Sequence, residues 1–353
     1  MTLIKKNINI LLLLFLILLL IKLIIIKNNN SNEQFINLRH PHFKDIYSKY
    51  NFKYEKKDNS LIRNNIEKIK RRDFNSKKCK SSIINKINTI NKFKEAKKIV
   101  IPFPNSIEYN RDIDNKNTII KKLNENNINY PIVIKPTNES QGKGVYVNIK
   151  SIDELFNYID NKLSKYKILQ IQQMLEGENY RVLFLNGKII DILNRTIPYV
   201  IGDGKSTIKE LIDKRNKNRK KGTETKIITE NYIKEQGYND INVSVPNKGK
   251  RIYITKTINY HNGSNNVPFP INKVHKDTLN MFKNMMKYLD CNIGGIDYMS
   301  KDLTKSFKES KTDGIIEINN GPYYDMHIRE NNKMLIANKI VTELDNYYDN
   351  IFK

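Results

Sequence analysis

At 353 residues the chain is long enough for one large core or roughly two to three smaller ones. Its formal charge of +25 accompanies a bias toward Lys, Asn and Ile, with alanine only at Ala96 and Ala337. The basic residues are scattered and form no aromatic–basic stripe, so no nucleic-acid partner is expected. Cys79 and Cys291 fit no disulfide framework or zinc spacing, and the five histidines lack ligand spacing. These counts speak against a transition-metal centre and for a reducing compartment.

Ile8 to Ile26 is apolar except for Asn9 and Lys22. That length is near the lower limit for a membrane-spanning helix, and no small-residue cleavage site follows. We therefore expect a transmembrane signal anchor over 1–27. Residues 28–84 read as a polar tether, with a helix around Ser60 to Arg72. A globular domain is expected over 85–353. Its first helix begins near Asn85 and ends before Ile101-Pro102-Phe103-Pro104, where the prolines favour extended chain. Asn115 to Asn126 is a second helix.

Tyr130 to Pro136 reads as a buried strand that ends in Lys135. Asn138 to Val145 is a loop with two glycines and a lysine, and Tyr146 to Ile149 returns as the second strand of a hairpin. Such a loop can cradle phosphate, although most glycine-bearing hairpin loops bind nothing. Ser151 and Glu154 form a capping box for a helix to Leu163. Ile168 to Gln172 is a strand. A hairpin follows, from Val182 to Leu193, turning at Asn186-Gly187. Thr207 and Glu210 cap another helix. Residues 216–250 are polar, Arg251 to Thr257 is a strand, and Asn259 to Ser264 is a loop. His275 to Leu289 is an amphipathic helix, and Lys333 to Tyr347 closes the chain as a helix.

Two apolar runs near the C-terminal end carry acids. Ile293 to Asp297 ends in a carboxylate, and Gly314 to Pro322 carries Glu317 and Asn319 two residues apart. In a strand, that spacing puts both side chains on one face. Neighbouring strands that bring Asp297, Glu317 and Asn319 together would offer the hard oxygens magnesium prefers. Two edge strands with solvated polar residues would show the same local pattern.

The ordered series of motifs resembles a family. It comprises Lys135-Pro136, the Gly142/Gly144 loop, Gly177-Glu178-x-x-Arg181, Asn186-Gly187-Lys188, and Gly202-Asp203-Gly204-Lys205-Ser206-Thr207-Ile208. Gly294-Gly295-Ile296-Asp297 and Glu317-x-Asn319-x-x-Pro322-x-x-x-Met326-His327 complete it. Over residues 85–330 the series resembles the ATP-grasp ligases. Within them it is most similar to the ATP-grasp domain of cyanophycin synthetases, with the glutathione-synthetase half of the bifunctional glutamate–cysteine ligase/glutathione synthetases close behind.

The resemblance implies an α+β fold in which two lobes grip ATP. It implies a carboxylate–amine ligase that works through an acyl phosphate on amino-acid or peptide substrates, and a glutathione-synthetase-like ligase or a non-catalytic ATP-binding module are the alternatives. The implied cofactors are ATP and Mg2+, as two ions, with Mn2+ as an alternative. By matching, Lys86 and Lys135 touch the phosphates. Gln141, Gly142, Lys143 and Gly144 form a lid. Gln172, Gln173, Met174 and Leu175 form the hinge at adenine, and Glu178 meets the ribose. Asp297, Glu317 and Asn319 hold magnesium, while Arg181, Arg195, Lys256 and Asn259 face the acyl phosphate or a substrate carboxylate. Gln172 stands where relatives often carry an acid, Lys256 where they carry arginine, and Tyr323 where they carry glycine; His261 to Ser264 also departs from their loop. The need for ATP places the catalytic domain on the cytosolic side of the expected anchor. So do Asn138-Glu139-Ser140, Asn194-Arg195-Thr196 and Asn262-Gly263-Ser264, glycosylation sequons that would obstruct the site in a secretory lumen.

Overall fold

The structure is a computed structural model that describes residues 52–55, 60–63, 67–70, 74–84, 86–95, 99–139, 142–219, 222–256, 258–322, 324–328 and 333–351. The anchor expected over 1–27 and the lid residue Gln141 lie outside them. Among the described residues, no helix is long and apolar enough to cross a membrane.

Two antiparallel sheets organise the chain. The first has the order β4-β7-β5-β6, from Ser106–Asn110 (β4), Ile132–Pro136 (β5), Tyr146–Ile149 (β6) and Ile168–Gln173 (β7). Helices α3 (Lys116–Glu125) and α4 (Ile152–Asn161) carry apolar stripes, and Asn115 and Ser151 cap them as N-cap acceptors. Their Ile119, Leu123, Leu155 and Ile159 share one core with Ile107, Ile132, Ile134, Leu169 and Ile171. Strand alternation therefore turns Val133, Lys135, Gln170 and Gln172 to the opposite face of the sheet.

The second sheet has the order β12-β9-β8-β13-β14. Its strands are Glu178–Leu185 (β8), Lys188–Thr196 (β9), Asn265–Pro268 (β12), Ile293–Ser300 (β13) and Gly314–Asn319 (β14). Asn186 and Gly187, with φ of 48° and 78°, make the turn between β8 and β9 that the sequence predicts. On one face Tyr180, Val182, Phe184, Ile192, Ile296, Tyr298, Ile315 and Ile318 pack with Met281, Phe282, Met285 and Met286. Those four lie on α7 (Lys276–Tyr288). On the other face, Leu183, Leu185 and Ile293 pack under Ile336, Ile340 and Leu344 of α8 (Lys333–Ile351). That helix covers one end of the face only. The uncovered end carries Asn179, Arg181, Arg195, Gly295, Asp297, Glu317 and Asn319. A smaller unit lies between the lobes in sequence: β10 (Tyr199–Ile201) pairs with β11 (Arg251–Tyr253) beside α5 (Ile208–Lys217) and α6 (Glu230–Lys234).

The structure corrects three expectations upstream of 85. The helix expected at Ser60 to Arg72 is absent. Strands Phe52–Glu55 (β1), Ser60–Arg63 (β2) and Glu67–Lys70 (β3) form an antiparallel meander there. Frequent lysine and asparagine mask the period-two pattern that would have signalled it. The compact fold also starts well before 85. Phe52 and Phe74 are buried in the α8-side core, and helix α1 (Lys77–Ile83) buries Cys79. Third, Cys79 and Cys291 form a disulfide with a Cα–Cα distance of 5.1 Å. Their separation of 212 residues hid it, because nothing local shows that α1 docks where α7 ends.

Candidate active site

The acids meet as the spacing predicts. Strands β13 and β14 are antiparallel neighbours, with Asp297 directly opposite Glu317 and Gly295 opposite Asn319. A bulge makes this possible. The register moves from Tyr298↔Ile315 to Asp297↔Glu317, so Ile316 is the extra residue. Had β14 alternated strictly through Ile316, Glu317 would share a face with Ile315, which is buried in the core under α7.

Asp297 is the centre of a buried network. Its Oδ1 accepts from Arg181 Nη1 at 2.7 Å and lies 3.0 Å from Arg195 Nη2. Arg195 also donates to Asn179 Oδ1 through Nε at 2.8 Å and Nη2 at 2.6 Å. Burial pushes the Asp297 carboxyl up, but the two guanidinium groups outweigh it and hold the group below its ordinary value. Burial lowers the pKa of Arg195, and Asp297 opposes that shift. Arg181 is 2% exposed and fits only because position 295 has no side chain: a Cβ there would stand 2.5 Å from its Cζ.

Two lysines approach the acids, Lys86 from a helix packed on the second sheet's core and Lys135 from the first sheet. Lys86 opens α2 (Lys86–Glu95); its Nζ lies 3.6 Å from Glu317 Oε1 and donates to the Glu139 carbonyl at the root of the lid. Lys135 is buried at the end of β5. Burial is the main cause that pushes its amine down to about 8, with Lys86 adding to the shift and Glu317 opposing it. Lys86, Lys135, Arg181, Arg195, Asp297 and Glu317 thus form one electrostatic cluster, with Asn319 one strand step away.

Not every expected residue joins it. Lys256 is half exposed, pairs with Glu235 at 3.0 Å and lies over the Tyr232 ring. Asn259 caps the short helix Tyr260–Asn262 by accepting from His261 N. Glu178 lies outside the cluster, on the opposite face of β8 from Arg181; it is on the Tyr180 side, where burial first and then the Glu178 charge raise that phenol. Asn179 lies on the Arg181 face, where it accepts from Arg195. At the hinge, Gln172 is buried, while Gln173 is bound outward, accepting from Asn129 N at 2.8 Å. Leu175 packs against Gly314, and Met174 precedes it in the connection from β7 to β8. Gly142, Lys143 and Gly144 form a turn, with Lys143 exposed.

Two supporting groups escaped the sequence. The Asn75 carboxamide accepts from Asn292 N and Ile293 N at 2.8 and 2.9 Å and donates to Ile293 O and Asn320 O at 2.8 and 3.1 Å. It therefore ties the start of β13 to the end of β14. His327 Nδ1 lies 3.0 Å from Asp191 Oδ2, which holds the segment after Pro322 to β9. Only the position of His327 after a Pro-x-x-x-Met motif hinted at it.

No family model matches the chain. The fold is similar to the crystal structure of a bifunctional glutathione synthetase from Pasteurella multocida, with TM-score 0.58 and 19% identity over 83% of this chain and 42% of that one. The chain has the ATP-grasp fold. In sequence, this ATP-grasp chain is 31% identical over 211 residues to a cyanophycin synthetase from Synechocystis sp., covering 56% of this chain and 24% of the relative. It is 30% identical over 207 residues to the glutathione biosynthesis bifunctional protein of Clostridium perfringens, covering 56% of this chain and 26% of the relative. The chain thus spans about a quarter of the length of these curated relatives. The resemblance to the ATP-grasp ligases read from the motifs stands.

Proposed function

We propose that the chain is an ATP- and magnesium-dependent carboxylate–amine ligase acting on amino-acid or peptide substrates, in the manner of the cyanophycin synthetases it resembles. The observation that carries this reading is the Asp297–Glu317 cross-strand pair, on a sheet face that also holds Arg181 and Arg195 and is approached by Lys86 and Lys135.

The donor set fits magnesium. Both arginines bond Oδ1 of Asp297, and among the described residues no hydrogen bond engages its Oδ2. Glu317 is held only loosely by Lys86, at 3.6 Å. With Asn319 these groups supply hard oxygens on adjoining strands. Among the described residues, no group of three or more His, Cys, Asp or Glu offers a rival site. Two magnesium ions, or manganese in their place, suit the same oxygens. When bound, the metal neutralises phosphate charge.

The side chains do the positioning. Lys135 and Lys86 hold the phosphates for in-line attack by a substrate carboxylate on the γ-phosphorus. That step yields an acyl phosphate and ADP. Arg181 and Arg195 lie where they can stabilise the negative charge developing on the acyl group. The amine then attacks the acyl carbon, phosphate leaves, and one proton is released. The lid turn at 142–144 shields the acyl phosphate from water while this happens. The sequence likeness to a glutathione biosynthesis protein supports a second reading, a glutathione-synthetase-like peptide ligase.

Incubating the full chain, in detergent, with MgATP and a panel of amino acids and short peptides tests this function. ADP release that depends on both an acid and an amine, with an amide product by mass spectrometry, is the expected result. ATP binding without ADP release across the panel would favour the non-catalytic alternative.

The single-pass anchor over 1–27, with the catalytic domain facing the cytosol, also belongs to this proposal. Its support is the apolar run and the need for ATP. Cysteine usage no longer supports it, because Cys79 and Cys291 are paired and such pairs persist mainly in oxidising compartments. Protease protection of a C-terminal tag on sealed vesicles tests orientation: digestion from the cytosolic side is expected, and protection would overturn it.

A further inference from the structure

Gln170 is an anomaly in the first sheet. It is 1% exposed, and among the described residues neither its amide nitrogen nor its amide oxygen has a hydrogen-bond partner. Buried carboxamides are ordinarily satisfied, and leaving both ends unmade is costly in a folded chain. Its place explains what is missing. On β7 it stands directly opposite Lys135 of β5. It shares Lys135's face, turned away from the core under α3 and α4. It also precedes by two residues the hinge at Gln172 to Leu175, about 7 Å along the strand.

We propose that Gln170 reads the base edge of the bound nucleotide, accepting from the 6-amino group of adenine and donating to a neighbouring ring nitrogen. This rests on the ATP reading above and adds a specificity-determining side chain to it. The pairing follows from the inventory of groups. A carboxamide presents a donor and an acceptor side by side, which matches the donor–acceptor edge of adenine. A phosphate offers acceptors only and would leave the amide oxygen unsatisfied. An aliphatic substrate carboxylate would do the same. Ribose hydroxyls, whose protons rotate, impose no fixed order of donor and acceptor, whereas the base edge presents a fixed donor–acceptor pair that matches the two ends of Gln170.

The test measures binding of MgATP, Mg-purine riboside triphosphate (which lacks the 6-amino group) and Mg-tripolyphosphate to the full chain in detergent. Wild type and Gln170→Leu are compared, and unfolding is followed without nucleotide. Wild type should prefer ATP to the deaminated analogue by about 10- to 100-fold, the discrimination one bidentate contact supplies. Gln170→Leu should lose that preference, keep its affinity for tripolyphosphate, and turn over at an unchanged kcat with a raised KM for ATP. Its melting temperature without nucleotide should hold or rise, since an unsatisfied buried amide is removed. A variant that keeps the wild-type preference overturns the inference. So does one that melts lower without nucleotide, because Gln170 would then have a structural partner. Failure of the wild type to bind MgATP would overturn the ATP reading itself; ATP binding with an unmoved preference sinks this inference alone.

Discussion

Adjacent glycines on β13 face opposite ways, so the same added methyl should do two different things. At Gly295 a Cβ would sit 2.5 Å from Cζ of Arg181, and at Gly294 it would sit 2.4 Å from Cε of Met286. An ordinary carbon contact is about 3.5–4.0 Å, so either neighbour must retreat by at least about 1 Å. Met286 is an unbranched thioether in the core under α7 and can adjust. Arg181 has nowhere to go: it is 2% exposed and bonded to Asp297 at 2.7 Å. A retreat of about 1 Å stretches that bond beyond hydrogen-bonding range. Losing a hydrogen bond to a charged group costs about 1.5–3 kcal/mol in stability, and a misplacement of this size at a reacting centre costs about 100-fold in rate. Gly295→Ala should therefore lose about two orders of magnitude in ADP release. Gly294→Ala should lose only about 1–3 kcal/mol of stability to overpacking, with turnover near wild type. Thermal unfolding and ADP release on both variants separate the two effects. Near-wild-type turnover in Gly295→Ala, or a larger turnover loss in Gly294→Ala, would refute the placement of Arg181 and Asp297 at the reacting centre.

Lys135 is buried and Lys143 is exposed, so Lys135→Ala should cost far more ATP turnover than Lys143→Ala, and the reverse order would show the phosphates to be misplaced. Because the amine of Lys135 is lowered to about 8 in the folded chain, its burial opposes folding most below that pH; the unfolded chain binds the extra proton between about pH 8 and 10.5, so nucleotide-free stability from this group rises across that window. ATP affinity should move the other way, weakening above about pH 8 as the phosphate-binding charge is lost, and Lys135→Arg should remove that limb. A pH titration of melting temperature and of ATP binding checks both signs. Asn75→Ala removes the four bonds by which Asn75 braces the start of β13 and the end of β14, so it should destabilise by several kcal/mol, about 1 per bond, and lower magnesium-dependent turnover. Wild-type unfolding in that variant would show the tie to be dispensable.

Local signals were legible wherever the chemistry is local. The caps at Ser151 and Thr207, the Asn186-Gly187 turn and the amphipathic stripe of α7 each depend on residues a few positions apart, and each element appears where expected. Two apolar runs carrying acids marked Asp297 and Glu317 as candidates, and the sheet register supplied their pairing. What stayed hidden depends on distant partners. Nothing near Lys256 shows that Glu235 will hold it on the surface, and nothing near Asn75 points to strands more than 200 residues away. The part played by Asn179 was hidden too: it lies on the Arg181 face of β8 and accepts from Arg195, which is sixteen residues away. The bulge at Ile316 is a further case: strict alternation from Ile315 would have turned Glu317 into the core, and only the sheet register reveals the inserted residue.

The most direct test of the central claim follows oxygen from the acid substrate. With a carboxylate donor labelled with 18O, a ligase that makes an acyl phosphate at this site transfers one labelled oxygen to the phosphate released. Wild type should produce singly labelled phosphate together with ADP and the amide. Glu317→Gln should fold as wild type and produce none. Unlabelled phosphate from the wild type, or labelled phosphate made equally well by Glu317→Gln, would contradict the account.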